Sequence, residues 1–464
     1  MDNDGNSSGL EAGARAASYA PAMSDGDTIF ALATAPGRGG IAVLRLSGPA
    51  ARNALRTLTG ISPAARQATR VTLCDPRDGT AIDHALALLF IAPASYTGED
   101  VVELHVHGGR AIVQRTIAVL AQQPGLRPAA PGEFTKRSFV NGKLDLTQAE
   151  AVADLVAAET EGQRRQALRQ LDGALGHLYE DWRARLINAL AYAEAAIDFA
   201  DEDLPAGLTE TACGQIRLLR EDIARHLNDR RAGEITRDGF HIAIIGAPNT
   251  GKSSLLNRLA RRDAAIVHET AGTTRDVIEV RLDLAGHTVT LADTAGLRET
   301  DDAIEVEGVR RARQWAEQAD LVVAVFDAAR GEDTETRAIL AKAAYRFVVR
   351  NKCDLLPVWP RPRAGEVVVS ARTGQGMDRL EQALGELVVE RLETGSGTPM
   401  LTQARHRQAL TEALVALDRA LARQEIELVA EDLRLAARAL GRITGRVDIE
   451  DLLDVIFRDF CIGK

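Results

Sequence analysis

The clearest chemical signal in the sequence is a phosphate-binding loop. Residues 246–253 read Gly-Ala-Pro-Asn-Thr-Gly-Lys-Ser and fit the pattern G-x-x-x-x-G-K-[ST]. In such a loop backbone N–H groups surround the phosphates, the lysine (Lys252) reaches the outer phosphates, and the serine hydroxyl (Ser253) can bind Mg²⁺. An apolar run, 242–245, precedes the loop and a helix-forming run, 254–259, follows it. The sequence therefore predicts a strand, a phosphate loop and a helix in the order that this chemistry requires.

Two segments downstream of the loop carry groups that a magnesium-bound nucleotide needs. Residues 271–276, Ala-Gly-Thr-Thr-Arg-Asp, supply hydroxyls for a switch loop, and Thr274 is the candidate second Mg²⁺ ligand. Residues 293–296, Asp-Thr-Ala-Gly, follow the apolar stretch 289–292. That position places a carboxylate beside the metal and a flexible glycine beside the γ-phosphate. The order of these segments is that of a nucleotide-dependent switch.

Two further motifs indicate which base is bound. Asn351-Lys352-Cys353-Asp354 ends the apolar strand 347–350, and Ser370-Ala371-Arg372 ends the next one. The Asp354 carboxylate can accept two hydrogen bonds from guanine, whereas adenine offers no matching pair of donors. Taken alone, Asn351 and Asp354 would more often be loop or helix-cap residues. Four motifs in the correct order favour GTP over ATP.

The groups that would drive hydrolysis are less evident. Leu297 follows the Asp-Thr-Ala-Gly motif, and an aliphatic side chain cannot orient an attacking water. Glu305 is one of several acids in the segment 301–307 that could do so. Stabilisation of the developing charge could come from Arg275, from Arg298, from a partner chain or from a metal ion.

The elements around these motifs divide the chain into five predicted segments. Strands at 29–32, 41–46, 85–91 and 101–106 and helices at 50–58 and 112–122 predict an α+β first domain. Leucines and a tryptophan at spacings of three and four form a stripe over 168–190, and a second stripe covers 410–440. We expect the two helical arms to pack together around an inserted α/β domain. The segments are a disordered extension (1–26), the first domain (27–146), the first helical arm (147–237), the α/β insertion (238–397) and the second helical arm (398–464).

Composition excludes several classes of protein. The 464 residues are 45% apolar and 26% charged with a net charge of −10, so the chain can bury a core and does not resemble a generic coat for polyanions. Four dispersed cysteines favour neither a disulfide framework nor a cysteine-based zinc site. His105 and His107 share a strand face, but no third zinc ligand is placed. With no bilayer-length apolar run and no secretory signal, we expect a cytoplasmic protein without membrane contact.

Several segments outside the nucleotide motifs make the chain resemble a known family. They are Ala-Pro-Gly-Arg-Gly-Gly (35–40), Tyr-Thr-Gly-Glu-Asp (96–100), Glu103-Leu104 with His-Gly-Gly (107–109), Pro-Gly-Glu-Phe-Thr (131–135), Asn-Gly-Lys-Leu-Asp-Leu (141–146) and the terminal Cys-Ile-Gly-Lys (461–464). With these segments the sequence resembles the MnmE (TrmE) family of tRNA-modification GTPases from residue 27 to the end. The fold that this implies combines an N-terminal α+β tetrahydrofolate-binding domain, a helical domain from two chain segments and an inserted Ras-like P-loop GTPase domain.

The resemblance also implies an activity and partners. Members form a homodimer through the first domain and act with the flavoprotein MnmG, as a heterotetramer, on the wobble uridine of tRNA. A carboxymethylaminomethyl or aminomethyl group is added at carbon 5, with 5,10-methylene-tetrahydrofolate supplying the carbon and 5-formyl-tetrahydrofolate as a bound analogue. GTP hydrolysis then requires Mg²⁺ and K⁺, the K⁺ neutralising charge where an arginine would otherwise do so.

Residue roles carry over onto matching positions. Glu305, Lys252 and Thr274 become the catalytic set, with Ser253 and Thr274 on Mg²⁺. The implied K⁺ ligands are Asn249, His268, Thr270 and Thr273, where His268 replaces an expected Ser or Thr. The implied folate-binding residues are Arg45, Glu103, Lys143 and Lys464. Cys461 is either a possible site residue in the C-terminal tail or an inert thiol. The full implied GTP-binding set is Asn249, Thr250, Gly251, Lys252, Ser253, Ser254, His268, Glu269, Thr270, Ala271, Gly272, Thr273, Thr274, Asp293, Thr294, Ala295, Gly296, Asn351, Lys352, Asp354, Ser370, Ala371 and Arg372.

Two alternatives stay open from the residues alone. The first is a ribosome-assembly GTPase that binds RNA as a checkpoint; it would need an RNA-binding module and none of the folate or tail motifs. The second is a folate-dependent enzyme with a vestigial GTPase domain, which the intact Lys252, Ser253, Thr274, Asp293 and Asp354 argue against.

Overall fold

A computed structural model describes residues 26–198, 208–261, 278–293, 314–392, 399–447, 453, 456–458 and 460–463. The chain packs into two compact units. The first comprises Met1–Lys143 and Asp451–Lys464, and the second comprises Leu144–Glu450. Within the described part of the chain, no helix has both the length and the apolar character that crossing a bilayer requires.

The first unit is built on one six-stranded sheet. Its strands are β1 (Thr28–Leu32), β2 (Ile41–Ser47), β3 (Thr69–Cys74), β4 (Ala81–Phe90), β5 (Val101–His107) and β6 (Leu126–Pro128), in the spatial order β3-β4-β5-β2-β1-β6. Its helices are α1 (Ala51–Thr59), α2 (Arg110–Leu120) and α3 (Glu133–Val140). Alternation in β2 sends Ala42, Leu44 and Leu46 into a core shared with α1 and α2. Val43 and Arg45 therefore lie on the opposite face of the sheet.

Sequence patterns predicted most of these elements. The four strands and the two helices expected in this unit are all confirmed, each within a few residues of its predicted ends. β3, β6 and α3 were missed. In β3 only Val71 and Leu73 face the core, so its alternation is short, and β6 is three residues long and ends in a proline.

The second unit joins a helical region to an α/β region. Its helices are α4 (Leu146–Ala157), α5 (Glu161–Leu171), α6 (Ala174–Asp198), α7 (Leu208–Leu227), α8 (Ala232–Asp238), α9 (Lys252–Ala260), α10 (Thr334–Lys342), α11 (Met377–Leu392), α12 (Ala404–Ala422) and α13 (Ile426–Thr444). Buried side chains of α6, α7, α12 and α13 form a single hydrophobic core. The expectation that the two helical arms pack together around the insertion is confirmed.

The first helical stripe is not continuous, contrary to the prediction. α5 ends at Leu171 and α6 begins at Ala174, with Gly173 between them at φ +89°. Because a left-handed residue redirects the chain, the leucines before and after it do not share one face. In α6 the deeply buried positions are Leu175, Tyr179, Trp182 and Leu186, while Leu178 and Leu190 are only partly buried.

A buried ionic cluster links the two helical arms. Glu150 on α4 accepts hydrogen bonds from Arg405 Nη2 at 2.7 Å and from His406 Nε2 at 3.0 Å, both on α12. Burial by itself would raise the pKa of Glu150, but the attraction and hydrogen bonds of Arg405 and His406 together outweigh it and hold this pKa at about 2. Burial lowers the pKa of His406, whose Nδ1 has no hydrogen-bond partner among the described residues. The ring is therefore neutral and donates through Nε2.

The α/β region contains a second six-stranded sheet. Its strands are β7 (Phe240–Ile245), β8 (Ile278–Leu284), β9 (His287–Asp293), β10 (Leu321–Asp327), β11 (Arg346–Asn351) and β12 (Glu366–Val368), in the order β12-β11-β10-β7-β9-β8. All neighbours are parallel except β8, which runs antiparallel to β9. β10, in the middle of the sheet, is buried along its whole length and is apolar from Leu321 to Phe326. The carboxyl ends of the parallel strands meet at one edge, which carries the phosphate and base motifs.

Candidate functional site

The phosphate loop is held in place by glycines that no other residue could replace without movement. Gly246 leaves β7 at φ +157°, and a Cβ there would lie 2.4 Å from the carbonyl oxygen of Val325 in β10. Gly251 has φ +94°, and its Cβ would lie 2.3 Å from Asn351 Nδ2. The two glycines of the sequence pattern thus allow the loop to approach the sheet and the base motif closely.

The predicted phosphate ligands lie where the loop turns into α9. Lys252 is the first residue of α9, and its Nζ donates to the carbonyls of Gly246 at 2.7 Å and Ala247 at 3.0 Å. Ser253 and Ser254 are exposed on the first turn. Asn249 adopts a left-handed conformation at φ +62°, and Thr250 Oγ1 donates to Ala247 at 2.9 Å. The loop therefore presents a lysine, hydroxyls and a helix N-terminus together, which is the chemistry of an anion site.

The base motifs meet the phosphate loop through Asn351. This buried side chain donates from Nδ2 to the Thr250 carbonyl and accepts from the Ala371 backbone N–H, both at 2.9 Å. Ser370 Oγ donates to Asp354 Oδ1 at 2.6 Å, and Arg372 Nε lies 3.6 Å from Asp354 Oδ2. The structure therefore brings together the three segments that the sequence placed at one site, and orients the Asp354 carboxylate.

Sequence reasoning missed Asp327 at this site. Asp327 ends β10, and its Oδ2 accepts a hydrogen bond from Lys352 Nζ at 2.9 Å. Burial opposes ionisation of Asp327, but the Lys352 ammonium outweighs burial and lowers the pKa of the carboxyl. An acid directly after a wholly apolar strand, at the edge where the other motifs lie, was the available signal. Lys352 is thus held by an ion pair as well as by the turn at its own φ of +62°.

Other predicted site residues lie outside the described part of the chain. They are Glu305, His268, Glu269, Thr270, Ala271, Gly272, Thr273, Thr274, Thr294, Ala295, Gly296 and Lys464. The backbone of Asp293 is described, since it ends β9 and pairs with Ile244 of β7. The chain therefore enters the Asp-Thr-Ala-Gly segment next to the strand that leads into the phosphate loop.

The first unit brings together two of the predicted folate residues. Arg45 on β2 and Glu103 on β5 are cross-strand neighbours, joined by bonds from Arg45 Nε at 3.0 Å and Nη2 at 2.9 Å to Glu103 Oε1. The guanidinium lies 5.5 Å from the ring centroid of Tyr96 and 5.8 Å from that of Phe134. Lys143 Nζ donates to the Pro93 carbonyl at 3.1 Å, so it borders the loop that carries Tyr96. Charged and aromatic groups thus lie together, with Arg45 and Glu103 partly buried above the fully buried ring of Phe134.

In the Pro-Gly-Glu-Phe-Thr segment, the carboxylate of Glu133 is the centre of a hydrogen-bond network. It accepts from Arg127 Nη2 at 2.6 Å, from Arg137 Nη2 at 3.1 Å and from the Ala130 backbone at 2.9 Å. Burial opposes its ionisation, yet the bonds from Arg127, Ala130 and Arg137 together outweigh burial and lower the pKa of Glu133. This network anchors the start of α3 and so positions Phe134 beneath Arg45.

The tail motif packs against the same unit. A Cβ on Gly463 would lie 2.3 Å from the Leu32 carbonyl oxygen, and one on Gly132 would lie 2.9 Å from the ring of Phe457. Gly132 N–H donates to the Cys461 carbonyl at 3.4 Å, and the Cys461 side chain is exposed. The glycine of the motif therefore permits a close approach to β1, while Cys461 is accessible.

The two strand histidines do not form a metal site with other described residues. His107 Nδ1 lies 2.7 Å from Asp83 Oδ1, and His105 Nε2 lies 3.5 Å from Glu103 Oε2. Within the ranges that the structure describes, no group of three or more His, Cys, Asp or Glu side chains could hold a metal ion. His107 thus pairs with a carboxylate on the neighbouring strand β4, and His105 lies near one on its own strand, β5.

The parallel sheet, the phosphate loop and the base-binding motifs define a P-loop GTPase domain set within a helical domain. The family model of the MnmE helical domain matches residues 146–461, and that of the GTP-binding protein TrmE N-terminus matches residues 28–143. The chain therefore belongs to the MnmE family of tRNA modification GTPases. As a member it hydrolyses GTP, binds the nucleotide with Mg²⁺ and acts in tRNA modification.

Individual relatives match along their whole length. The tRNA modification GTPase MnmE of Parvibaculum lavamentivorans is 58% identical, over 94% of this chain and 100% of that protein. The mitochondrial 5-taurinomethyluridine-tRNA synthase subunit GTPB3 of Homo sapiens is 47% identical, over 97% of this chain and 96% of that protein. The solved G domain of the T. maritima FeoB iron transporter is 23% identical and covers 33% of this chain and 99% of that one. Its TM-score of 0.25 supports no further conclusion.

Proposed function

We propose that this GTPase is the K⁺-dependent component of a complex that modifies carbon 5 of the tRNA wobble uridine. It acts with the flavoprotein MnmG, adds a carboxymethylaminomethyl or aminomethyl group, and takes the carbon from 5,10-methylene-tetrahydrofolate in the cytoplasm. The observation that carries the proposal is the surface of Arg45 and Glu103 beside Tyr96 and Phe134, in the same chain as a guanine-type nucleotide site. The human relative is named for a carbon-5-modified uridine in tRNA, which agrees with this substrate.

The groups around Arg45 suit a folate. The pterin ring of folates is planar and carries donors and acceptors on its edge, so it can stack on Tyr96 and bond to Glu103. Arg45 holds Glu103 in place beside the pterin, and Lys143 supplies positive charge for the carboxylates of the glutamate tail. Lys464 and Cys461 complete the proposed set from the chain terminus.

Nucleic-acid analysis tests the function directly. Cells that lack this chain are expected to lose the carbon-5 modification of the wobble uridine, measured by mass spectrometry of tRNA nucleosides. The wild-type chain should restore the modified nucleoside, and the Lys252→Ala variant should not. Unchanged modification in cells without the chain would contradict the proposal.

The same surface supports homodimer formation. Pairing across β2, β5 and β4 places Arg45, Glu103 and Leu88 in one row, with Val43, His105 and Leu86 in the next. Leu86 and Ile41 are 46% and 65% exposed on this face. Exposed apolar side chains on a sheet face suit burial against a second copy of the chain.

A charge on this face is expected to weaken the dimer. Leu86→Glu should raise the dissociation constant at least tenfold, since burial of an unpaired carboxylate is costly. Analytical ultracentrifugation measures the change, and Leu428→Glu, at an exposed leucine in α13, is the control. A dimer of unchanged stability in Leu86→Glu would exclude this face as the interface.

Potassium is expected to accelerate GTP hydrolysis. In the proposal Asn249 and the segment 268–273 hold K⁺ beside the phosphates, where it neutralises the charge of the transition state. Replacing K⁺ by Na⁺ at constant ionic strength should lower kcat at least tenfold, because a missing charge stabiliser in such sites costs on the order of 10²–10³ in rate. The Asn249→Ala variant should be slow in both salts. Equal rates of the wild type in K⁺ and Na⁺ would remove the cation from the mechanism.

A close backbone contact supports coupling of the switch to the helical region. Gly162 N–H on α5 donates to the Gly286 carbonyl at 2.8 Å, in the turn between β8 and β9. A Cβ on Gly162 would lie 2.8 Å from that carbonyl oxygen. β9 runs from this contact to Asp293. We infer that movement of the switch segment reaches α5 through β9.

Separation of this contact should uncouple hydrolysis from modification. Gly162→Ala forces α5 and the turn apart, so we expect wobble-uridine modification to fall severalfold while basal GTP hydrolysis changes less than about twofold. Gly214→Ala in α7, where a Cβ meets open space, is the control. Full modification by Gly162→Ala in complemented cells would place the coupling elsewhere.

A further inference from the structure

Arg258 has no role in the sequence motifs, yet it holds the base-binding loop. It lies on α9, the helix that follows the phosphate loop. Its Nη1 donates to the carbonyls of Ala371 at 3.3 Å and Arg372 at 3.0 Å, and its Nη2 donates to the carbonyl of Thr373 at 3.1 Å. A single guanidinium thus bonds three successive peptide groups, which its rigid fork of donors makes possible.

The loop is shaped to receive this side chain. Gly374 has φ +90°, and a Cβ there would lie 2.2 Å from Arg258 Nη2. On its other side the loop is held by the bond from Ala371 N–H to Asn351 and by that from Thr373 N–H to Ser370 Oγ at 3.1 Å. The peptide planes from 371 to 374 therefore cannot rotate independently while Arg258 is in place.

The hydrogen-bonding groups of guanine indicate which contact a rigid loop at 371–373 would make with the base. Asp354 can accept only from the N1–H and the 2-amino group of the base. O6 is next to N1 on the ring and needs a donor. The segment adjoining Asp354 is 370–373, joined to it by the Ser370 hydroxyl. The N–H groups of Ser370, Ala371 and Thr373 already donate to other protein atoms, so the Arg372 N–H is the backbone donor of this segment that remains for O6.

We propose that Arg258 is a positioning residue for guanine recognition: it fixes the backbone of residues 371–373 so that this segment donates to O6 of the base. The inference rests on the proposed base site at Asp354. What the inference adds to that site is the role of Arg258, whose three hydrogen bonds hold the backbone of residues 371–373.

Two nucleotide analogues separate these contacts. Inosine diphosphate lacks the 2-amino group and reports on Asp354, whereas 6-thio-GDP keeps both donors and replaces O6 by a larger, weaker acceptor. The full-length Arg258→Ala variant should lose most of the preference for GDP over 6-thio-GDP, a fall from about tenfold to about twofold. Its preference for GDP over inosine diphosphate should stay as in the wild type. Equilibrium binding measures both ratios.

Matched variants keep the test decisive. Arg258→Lys should give an intermediate ratio, because an ammonium keeps the charge but lacks the planar fork of donors that spans the three carbonyls. Arg261→Ala, at an exposed arginine after the same helix, should behave as wild type. An unchanged preference against 6-thio-GDP in Arg258→Ala, or an equal fall in both preferences, would overturn the inference. A wild type that does not prefer GDP over inosine diphosphate would instead refute the base site at Asp354.

Discussion

Asp354→Asn is expected to weaken GDP binding by a factor on the order of 10³–10⁴ and to create binding of xanthosine diphosphate. The Asp354 carboxylate is held by Ser370 and lies near Arg372, so its oxygens face the base in one orientation. In the variant the side-chain amide of asparagine places an N–H group opposite an N–H group of guanine. Two hydrogen-bond donors then face each other, and neither has an acceptor. Xanthine carries a carbonyl oxygen in place of the 2-amino group and can accept from that amide.

The measurement is a titration of the full-length protein with both nucleotides. Glu390→Gln, an exposed position on α11, removes the same charge from the same region of the chain and should leave both affinities unchanged. Binding of GDP by Asp354→Asn at wild-type strength would show that another group reads the base.

Glu150→Gln is expected to lower the free energy of unfolding of the helical core by about 3–5 kcal/mol. The amide keeps the shape of the side chain and removes the charge that Arg405 and His406 share in the buried cluster between α4 and α12. An arginine left in the interior without a counter-charge accounts for most of the cost. The loss affects the contact that joins residues before the GTPase insertion to residues after it.

The test is urea unfolding followed by the fluorescence of Trp182, which lies in this core, with Trp315 and Trp359 replaced by phenylalanine. The control is Glu412→Gln, because Glu412 pairs with Arg442 at the surface and its loss should cost at most about 1 kcal/mol. Equal effects of the two variants would show that burial of the cluster does not govern its energy.

The pH dependence of stability follows from the same cluster. The folded protein lowers the pKa of Glu150 to about 2 and also lowers the pKa of His406. Both groups therefore bind fewer protons when folded than when unfolded, so their stabilisation is present at neutral pH and is lost on acidification. The contribution of His406 is lost first, below its ordinary pKa, and that of Glu150 between about pH 4.5 and 2. The difference in stability between wild type and Glu150→Gln should shrink over that lower range.

The nucleotide motifs could be predicted because each is a short, contiguous segment. The phosphate loop, residues 246–253, requires only a strand before it and a helix after it. Local sequence patterns predict both elements. The same holds for Asn351 to Asp354 after β11. The proposed folate role of Arg45 and Glu103 came only from the resemblance to the family, since alternation alone places Arg45 on the polar side of a strand.

Residue types and order along the chain thus determined the nucleotide chemistry, the family and the insertion of one domain into another. Tertiary structure alone decided that Lys352 pairs with Asp327, that Arg258 holds the loop at 371–373, and that Glu150 meets Arg405 and His406. These partners are far apart in sequence, and each contact depends on the register of separate strands and on the packing of separate helices. No local pattern encodes that geometry, because it is the burial of the whole core that brings those elements together.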